Sequence, residues 1–243
     1  MKKGIIGGII FLLLTSYSYA ETITLGYVSF PPYEYVENEK PAGVLVEIVQ
    51  EIFKKSGHNL ILKHYPFKRA FHNAKLGRID GLFNFYKNSE RLEYFDYSEV
   101  VIKNPLVFFV RKDTAWTYSG LNDLKGKIIS VMRGYTYGSE FDNSDLFIKD
   151  VSNQHESSFK KVAARRSDGY PCDKLVGINV ARKEGLMSEL KILPVPLKVM
   201  DGHIGFTKGK HTELIKKINA IITEMHQNGQ IEKVINDYVE SNK

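Results

Sequence analysis

Apolar and polar positions alternate at the start of "TITLGYVSFPPYEYV", with Ile23, Leu25 and Tyr27 on one face, which predicts a strand running into a Pro-Pro loop. The spacing then changes. In "GVLVEIVQEIFKKSG" the apolar residues Leu45, Ile48, Val49 and Ile52 recur at helical intervals, and Gly57 supplies a stop. "NLILKHY" reads as a second strand, "FKRAFHNAKLG" as a short helix and "IDGLFNFY" as a third strand. Strands alternating with helices predict a mainly parallel α/β sheet.

After "YSEVVIKNPLVFFVRKD" the pattern begins again. "LNDLKGKIISVMRGYTYGSEF" reads as strand, Gly turn and helix start, and "SSFKKVAARRSDGYPCD" as helix, turn and strand. "LKILPVPLKVMDGHIGFTKGK" is strand-like and punctuated by proline. Leu214, Ile215, Ile218, Ile221, Ile222 and Met225 share one helical face, Gly229 ends that helix, and a last helix is expected at about 230–240. A short echo links the halves: "GRIDGLFN" (77–84) and "RRSDGYPC" (165–172) both place Arg-x-Asp-Gly between a helix and a strand. Two similar lobes or a chance match both explain it. Ligands of parallel sheets sit beyond the carboxyl ends of strands. Asn84 and Cys172, each four residues after its Asp, are therefore expected near a cleft.

The N-terminus changes the compartment. Lys2 and Lys3 precede the apolar run Gly4–Leu14, and Ser18-Tyr19-Ala20 fits a cleavage site, so residues 1–20 are expected to be a secretory signal rather than a retained anchor. Without it, 32 basic stand against 28 acidic side chains, a net of +4, interspersed and without the basic stripe of a nucleic-acid binder. One cysteine makes no internal disulfide, so the core must hold the fold. A periplasmic protein acting as a monomer is expected.

Catalytic motifs are missing. There is no His-Glu-x-x-His, no Gly-x-Ser-x-Gly and no Gly-x-Gly-x-x-Gly, and "GLNDLKGKI" fails as a phosphate loop because Ile128 stands where Ser or Thr is needed. No cofactor and no metal are expected. Cys172 as a nucleophile needs a base, and His155 and His203 are distant in sequence; the alternatives are a cleft wall or a small buried side chain.

Six landmarks in order resemble the periplasmic solute-binding proteins of the polar amino acid type, the binding component of ABC uptake systems. They are "FPPYEYVENEKPAGVLVEIVQEIFKKSG", "YPFKRAFHNAKLGRIDG", "NSERLEYFDYSEVV", "LVFFVRKDT", "LNDLKGKIISVMRGYTYG" and "GHIGFTKGKHTELIKKINAIITEMHQNGQIEKVINDY". The resemblance implies a type II clamshell, with lobe 1 at 21–109 plus 201–243, lobe 2 at 113–198, and a hinge at about 109–113 and 198–202. It implies a small polar or anionic ligand held between the lobes and delivered to a membrane permease. Enzymes similar to cyclohexadienyl dehydratases and ligand-presenting sensory modules share this frame and stay open as alternatives.

The resemblance also implies roles. Arg91 matches the arginine that grips a ligand α-carboxylate, a task suited to a planar fork; a surface ion pair with Glu90 or Glu93 is the other reading. Tyr135 and Thr136 match a turn whose N–H groups suit an anion. Asp173 matches the acid that meets the ligand ammonium, or it caps the helix that follows. Phe30 and Phe67 match pocket aromatics, or pack in the core. Asn84 and Tyr86 replace smaller residues of the family pattern, Arg133 stands where an uncharged residue or Lys is commoner, and Cys172 precedes Asp173. The amino-acid recognition set is therefore incomplete, which leaves another small anion, a modified amino acid or a short peptide open as ligand; Lys68, Arg69 and Arg133 either add positive charge at the mouth that favours carboxylates or are solvated at the surface.

Overall fold

The computed structural model describes residues 21–241; the expected signal segment lies outside them. The first α/β unit runs β1 (Thr22–Tyr27), a hairpin of β2 (Tyr35–Glu37) and β3 (Lys40–Ala42), α1 (Val44–Ser56), β4 (Asn59–His64), α2 (Phe67–Lys75), β5 (Gly81–Phe85), α3 (Ser89–Leu92) and β6 (Phe95–Tyr97). A long strand, β7 (Ile102–Arg111), leads to the second unit. That unit holds β8 (Ile128–Met132), α4 (Ser139–Asp142), β9 (Ile148–Ser152), α5 (His155–Ala163), β10 (Gly169–Asp173), α6 (Lys174–Lys183) and β11 (Leu190–Ile192). A second long strand, β12 (Lys198–Thr207), returns the chain to α7 (Thr212–Gln227) and α8 (Gln230–Ser241). Helix α1 forms where the sequence predicts, burying Leu45, Ile48, Val49 and Ile52, and Gly57 closes it in the left-handed conformation. Strand β9 was not foreseen, because "IKDVS" exposes Ile148 and Val151 and shows no buried alternation.

Two sheets share one topology. In the first, β1 pairs in parallel with β4 and with β5, and β5 then meets β12 antiparallel. In the second, β8 pairs in parallel with β9 and with β10, and β10 meets β7 antiparallel. The Asp-Gly echo marks the same joint in both. Asp80 receives the Thr24 N–H on Oδ2 at 2.8 Å and returns its own N–H to the Thr24 carbonyl. Asp168 does the same with Ile128, at 2.7 Å. The echo therefore has a structural basis. The glycines that follow are needed for close approach: a Cβ on Gly81 would strike the Gly205 carbonyl, and one on Gly169 would lie 2.6 Å from the Trp116 ring.

The two long strands join the sheets. Lys198–Gly202 of β12 pair with Leu106–Ile102 of β7, whereas His203–Thr207 turn to β5 and β6. From Leu106 onward β7 pairs with β10. Strand pairing thus sets the two long strands side by side at Ile102–Leu106 and Lys198–Gly202. Phe109 and Val110 are buried in the second sheet, paired with Tyr170 and Gly169. Helices α7 and α8 pack back on α1.

Candidate functional site

Strand β10 and helix α6 build one wall of the cleft. Asp173, the last residue of β10, is extended rather than helical and caps α6, its Oδ1 accepting the N–H groups of Leu175 at 3.0 Å and Val176 at 3.1 Å. Its carboxylate also accepts the Tyr33 hydroxyl, at 2.9 Å to Oδ1 and 3.0 Å to Oδ2. Tyr33 is buried in the Pro-Pro loop and stacks on Phe30 with ring centroids 5.4 Å apart. One acid thus serves as helix cap and as a contact between the two units. Burial raises the Asp173 carboxyl to about 6, against its bonds to the helix N–H groups and Tyr33.

Around Asp173 lies a cavity of about 300 Å³. The first unit contributes Phe30 and Tyr86; the second contributes Tyr135, Tyr137, His155 and Tyr170. The crossing strands supply Asn104, Leu106, Lys198 and Met200. Aromatic rings dominate, and Asp173 and Lys198 are the two formally charged side chains of the lining.

Of the ten residues singled out in the sequence, six line this cavity: Phe30, Tyr86, Tyr135, Thr136, Cys172 and Asp173. Four stand outside its lining. Arg91 donates from Nη1 to the Tyr86 carbonyl at 2.8 Å, and its guanidinium lies over Phe85 at 4.5 Å and Phe67 at 5.3 Å. Phe85 belongs to the core under α2, so this stacking draws Arg91 to the far side of β5. Phe67 is 45% exposed at the start of α2 and packs against Phe71 and Phe85. Arg133 bonds Asn153 at the surface. Asn84, with φ +52°, sits behind the wall and accepts a bond from Asn104 at 2.9 Å. Lys68 and Arg69 are exposed on α2, also outside the lining.

The turn expected to offer N–H groups to an anion is partly engaged internally. The Asp142 carboxylate accepts the Thr136 hydroxyl and the Tyr137 N–H, the latter at 3.0 Å.

Cys172 meets the histidine that sequence distance had hidden: its Sγ lies 3.7 Å from His155 Nδ1, which also contacts the Tyr170 hydroxyl at 2.6 Å. The pair is not an activated nucleophile. Burial pushes the thiol far up, with the Asp173 charge adding, and burial pushes His155 down, so both are neutral. Among the described residues no cluster of three or more His, Cys, Asp or Glu is placed to hold a metal ion.

Sequence reasoning missed Tyr33, Asn104, His155, Tyr170 and Lys198. Tyr33 stood in plain view in "FPPYEY"; Asn104 and Lys198 lie on the crossing strands, where no local motif marks a lining position.

Two units of one topology, joined by two strands and holding a ringed cavity between them, define a cleft-binding protein of the type II periplasmic clamshell fold. Residues 23–241 match the model of the bacterial extracellular solute-binding proteins, family 3, and the chain belongs to that family. It is similar to the probable amino-acid-binding protein YxeM of Bacillus subtilis (strain 168), 27% identical over 213 residues, covering 85% of this chain and 79% of that protein. It is similar to the L-cystine-binding protein TcyJ of Escherichia coli (strain K12), 24% identical over 208 residues, 84% of this chain and 77% of that protein. Among solved structures, the unliganded open L-cystine solute receptor of Neisseria gonorrhoeae shares the fold with a TM-score of 0.75 at 20% identity, covering 88% of this chain and 90% of that one. These relatives are named as binding proteins.

Proposed function

We propose that this protein captures a small amino-acid-like zwitterion in the periplasm and delivers it to the permease of an ABC transporter. One observation leads to this reading: the aromatic cavity between the units has one acid and one base in its lining, Asp173 and Lys198. A ligand ammonium meets the Asp173 carboxylate, and a ligand carboxylate meets the Lys198 ammonium as a charge-assisted bond. Aromatic walls of Phe30, Tyr86 and Tyr135 suit the rest of the ligand. The names of the relatives support an amino acid as the class, and the family supports location outside the cytoplasm and partnership with a permease. Arg91 then acts on the ligand through Tyr86, whose carbonyl it holds.

The test is native mass spectrometry of protein purified from its host, followed by denaturing release. An intact amino acid or amino-acid derivative is the expected finding. Release of nothing, followed by no thermal shift against the full set of amino acids, would overturn the reading.

A further inference from the structure

Asn104 stands on the first crossing strand, at 2% exposure, in the cavity wall. Its amide nitrogen has spent both hydrogens, one on Asn84 Oδ1 and one on the Tyr86 hydroxyl, each at 2.9 Å. Its oxygen, Oδ1, is buried and finds no hydrogen-bond partner among the described residues. A buried carbonyl left in that state costs free energy, and at a cavity wall a group entering the cavity can relieve it. The neighbouring Tyr86 hydroxyl accepts from Asn104 and keeps its own proton to donate; burial raises its pKa to about 12, so the proton stays. An acceptor and a donor therefore stand side by side, their spacing set by the bond between them.

We propose that Asn104 and Tyr86 form a second polar subsite that selects an amino acid bearing an uncharged N–H/C=O group, a carboxamide or ureido side chain. The proposal rests on the amino-acid reading above. The ligand N–H meets Asn104 Oδ1, and the ligand C=O accepts the Tyr86 O–H. A carboxylate has no hydrogen for Oδ1 and is rejected; a thioether or alkyl chain leaves both groups unpaired. Behind the pair lies Glu34, fully buried, its carboxyl pushed well above the usual carboxylate range by that burial.

Isothermal titration with L-glutamine, L-citrulline, L-glutamate and L-methionine tests it. The expected result is binding of glutamine or citrulline at least about tenfold tighter than glutamate and methionine. Asn104→Leu is expected to erase that preference while methionine still binds. Should N104L fail to fold, Tyr86→Phe serves in its place: it removes one neutral bond and is expected to lower the preference about fivefold. Tighter binding of glutamate or methionine by the wild type overturns the subsite and leaves the amino-acid reading standing. A preference kept intact in a folded N104L or in Y86F overturns it as well. If no member of the panel binds and no other amino acid does, both proposals fall together.

Discussion

Asp173 combines two tasks that a pair of substitutions separates. Asn caps helices about as well as Asp, so Asp173→Asn keeps the bonds to Leu175 and Val176 but removes the charge. Thermal stability of the ligand-free protein is expected to change little at pH 4 and to rise at pH 7, where the buried charge of Asp173 disfavours the fold. Affinity for an amino-acid zwitterion is expected to fall about tenfold to about 150-fold, the range of a charge-assisted bond. Asp173→Ala also loses the cap, at a further cost of about 1 kcal/mol seen in denaturant unfolding. Titration calorimetry beside a melting curve reads both effects, and unchanged affinity in Asp173→Asn would remove the acid from the site. Arg91 makes the opposite prediction to the one its motif suggests. Because its guanidinium lies on Phe85 and Phe67 and bonds the Tyr86 carbonyl, Arg91→Ala is expected to lower stability by about 1–2 kcal/mol and to weaken binding less than Asp173→Asn does. Abolished binding with an intact unfolding curve would show instead that the fork reaches the ligand.

At the scale of elements, each Asp of the echo pins the start of a third strand to the first strand of its sheet. Replacing Asp80 or Asp168 by Ala leaves a backbone N–H, of Thr24 or of Ile128, without its carboxylate. Each is expected to cost about 1–3 kcal/mol. Asp80→Ala is expected to cost more, since Asp80 also faces the buried His211 at 3.1 Å and Thr24 is less accessible than Ile128. The two substitutions lie in different sheets and their costs are expected to add. Denaturant midpoints of the single and double variants decide this. Here the sequence was informative: local periodicity marked α1, α7 and both Asp-Gly joints, because burial of one face and the turn geometry are local facts. It was weak where the determinant is long-range pairing. "IKNPLVFFVR" reads as one apolar strand, and nothing in it shows that pairing changes from β12 to β10 at Leu106. The site followed the same division. Phe30, Cys172 and Asp173 lie in recognisable motifs. His155 reaches Cys172 across 17 residues, and Arg91 turns away because of rings whose placement only the packed core decides.

For the whole molecule, the amino-acid reading predicts that ligand binding is coupled to pH through Asp173. Asp173, raised to about 6, and Glu34, raised well above the usual carboxylate range, hold their protons more tightly in the folded chain than in the unfolded one. At a pH below about 4 both states are protonated and neither group affects folding. As pH rises from about 4 towards 6 the unfolded chain ionises first, so these two groups lower the stability of the ligand-free protein, and the Asp173 contribution levels off above about 6. Ligand binding runs the other way. On the amino-acid reading, the ligand ammonium pairs with the ionised Asp173, so below pH 6 each binding event must first release a proton, and affinity is expected to fall up to about tenfold per pH unit. The expected outcome is a ligand-induced rise in melting temperature that is small at pH 5, grows to pH 7 and is flat beyond. Calorimetry at pH 5.5 in buffers of different ionisation heat should register proton release, and Asp173→Asn should abolish both the release and the pH dependence. Equal affinity at pH 5 and 7 in the wild type would mean that the ligand's cationic group meets something other than Asp173. The acid would then be only the cap of α6 and the partner of Tyr33 that links the two units.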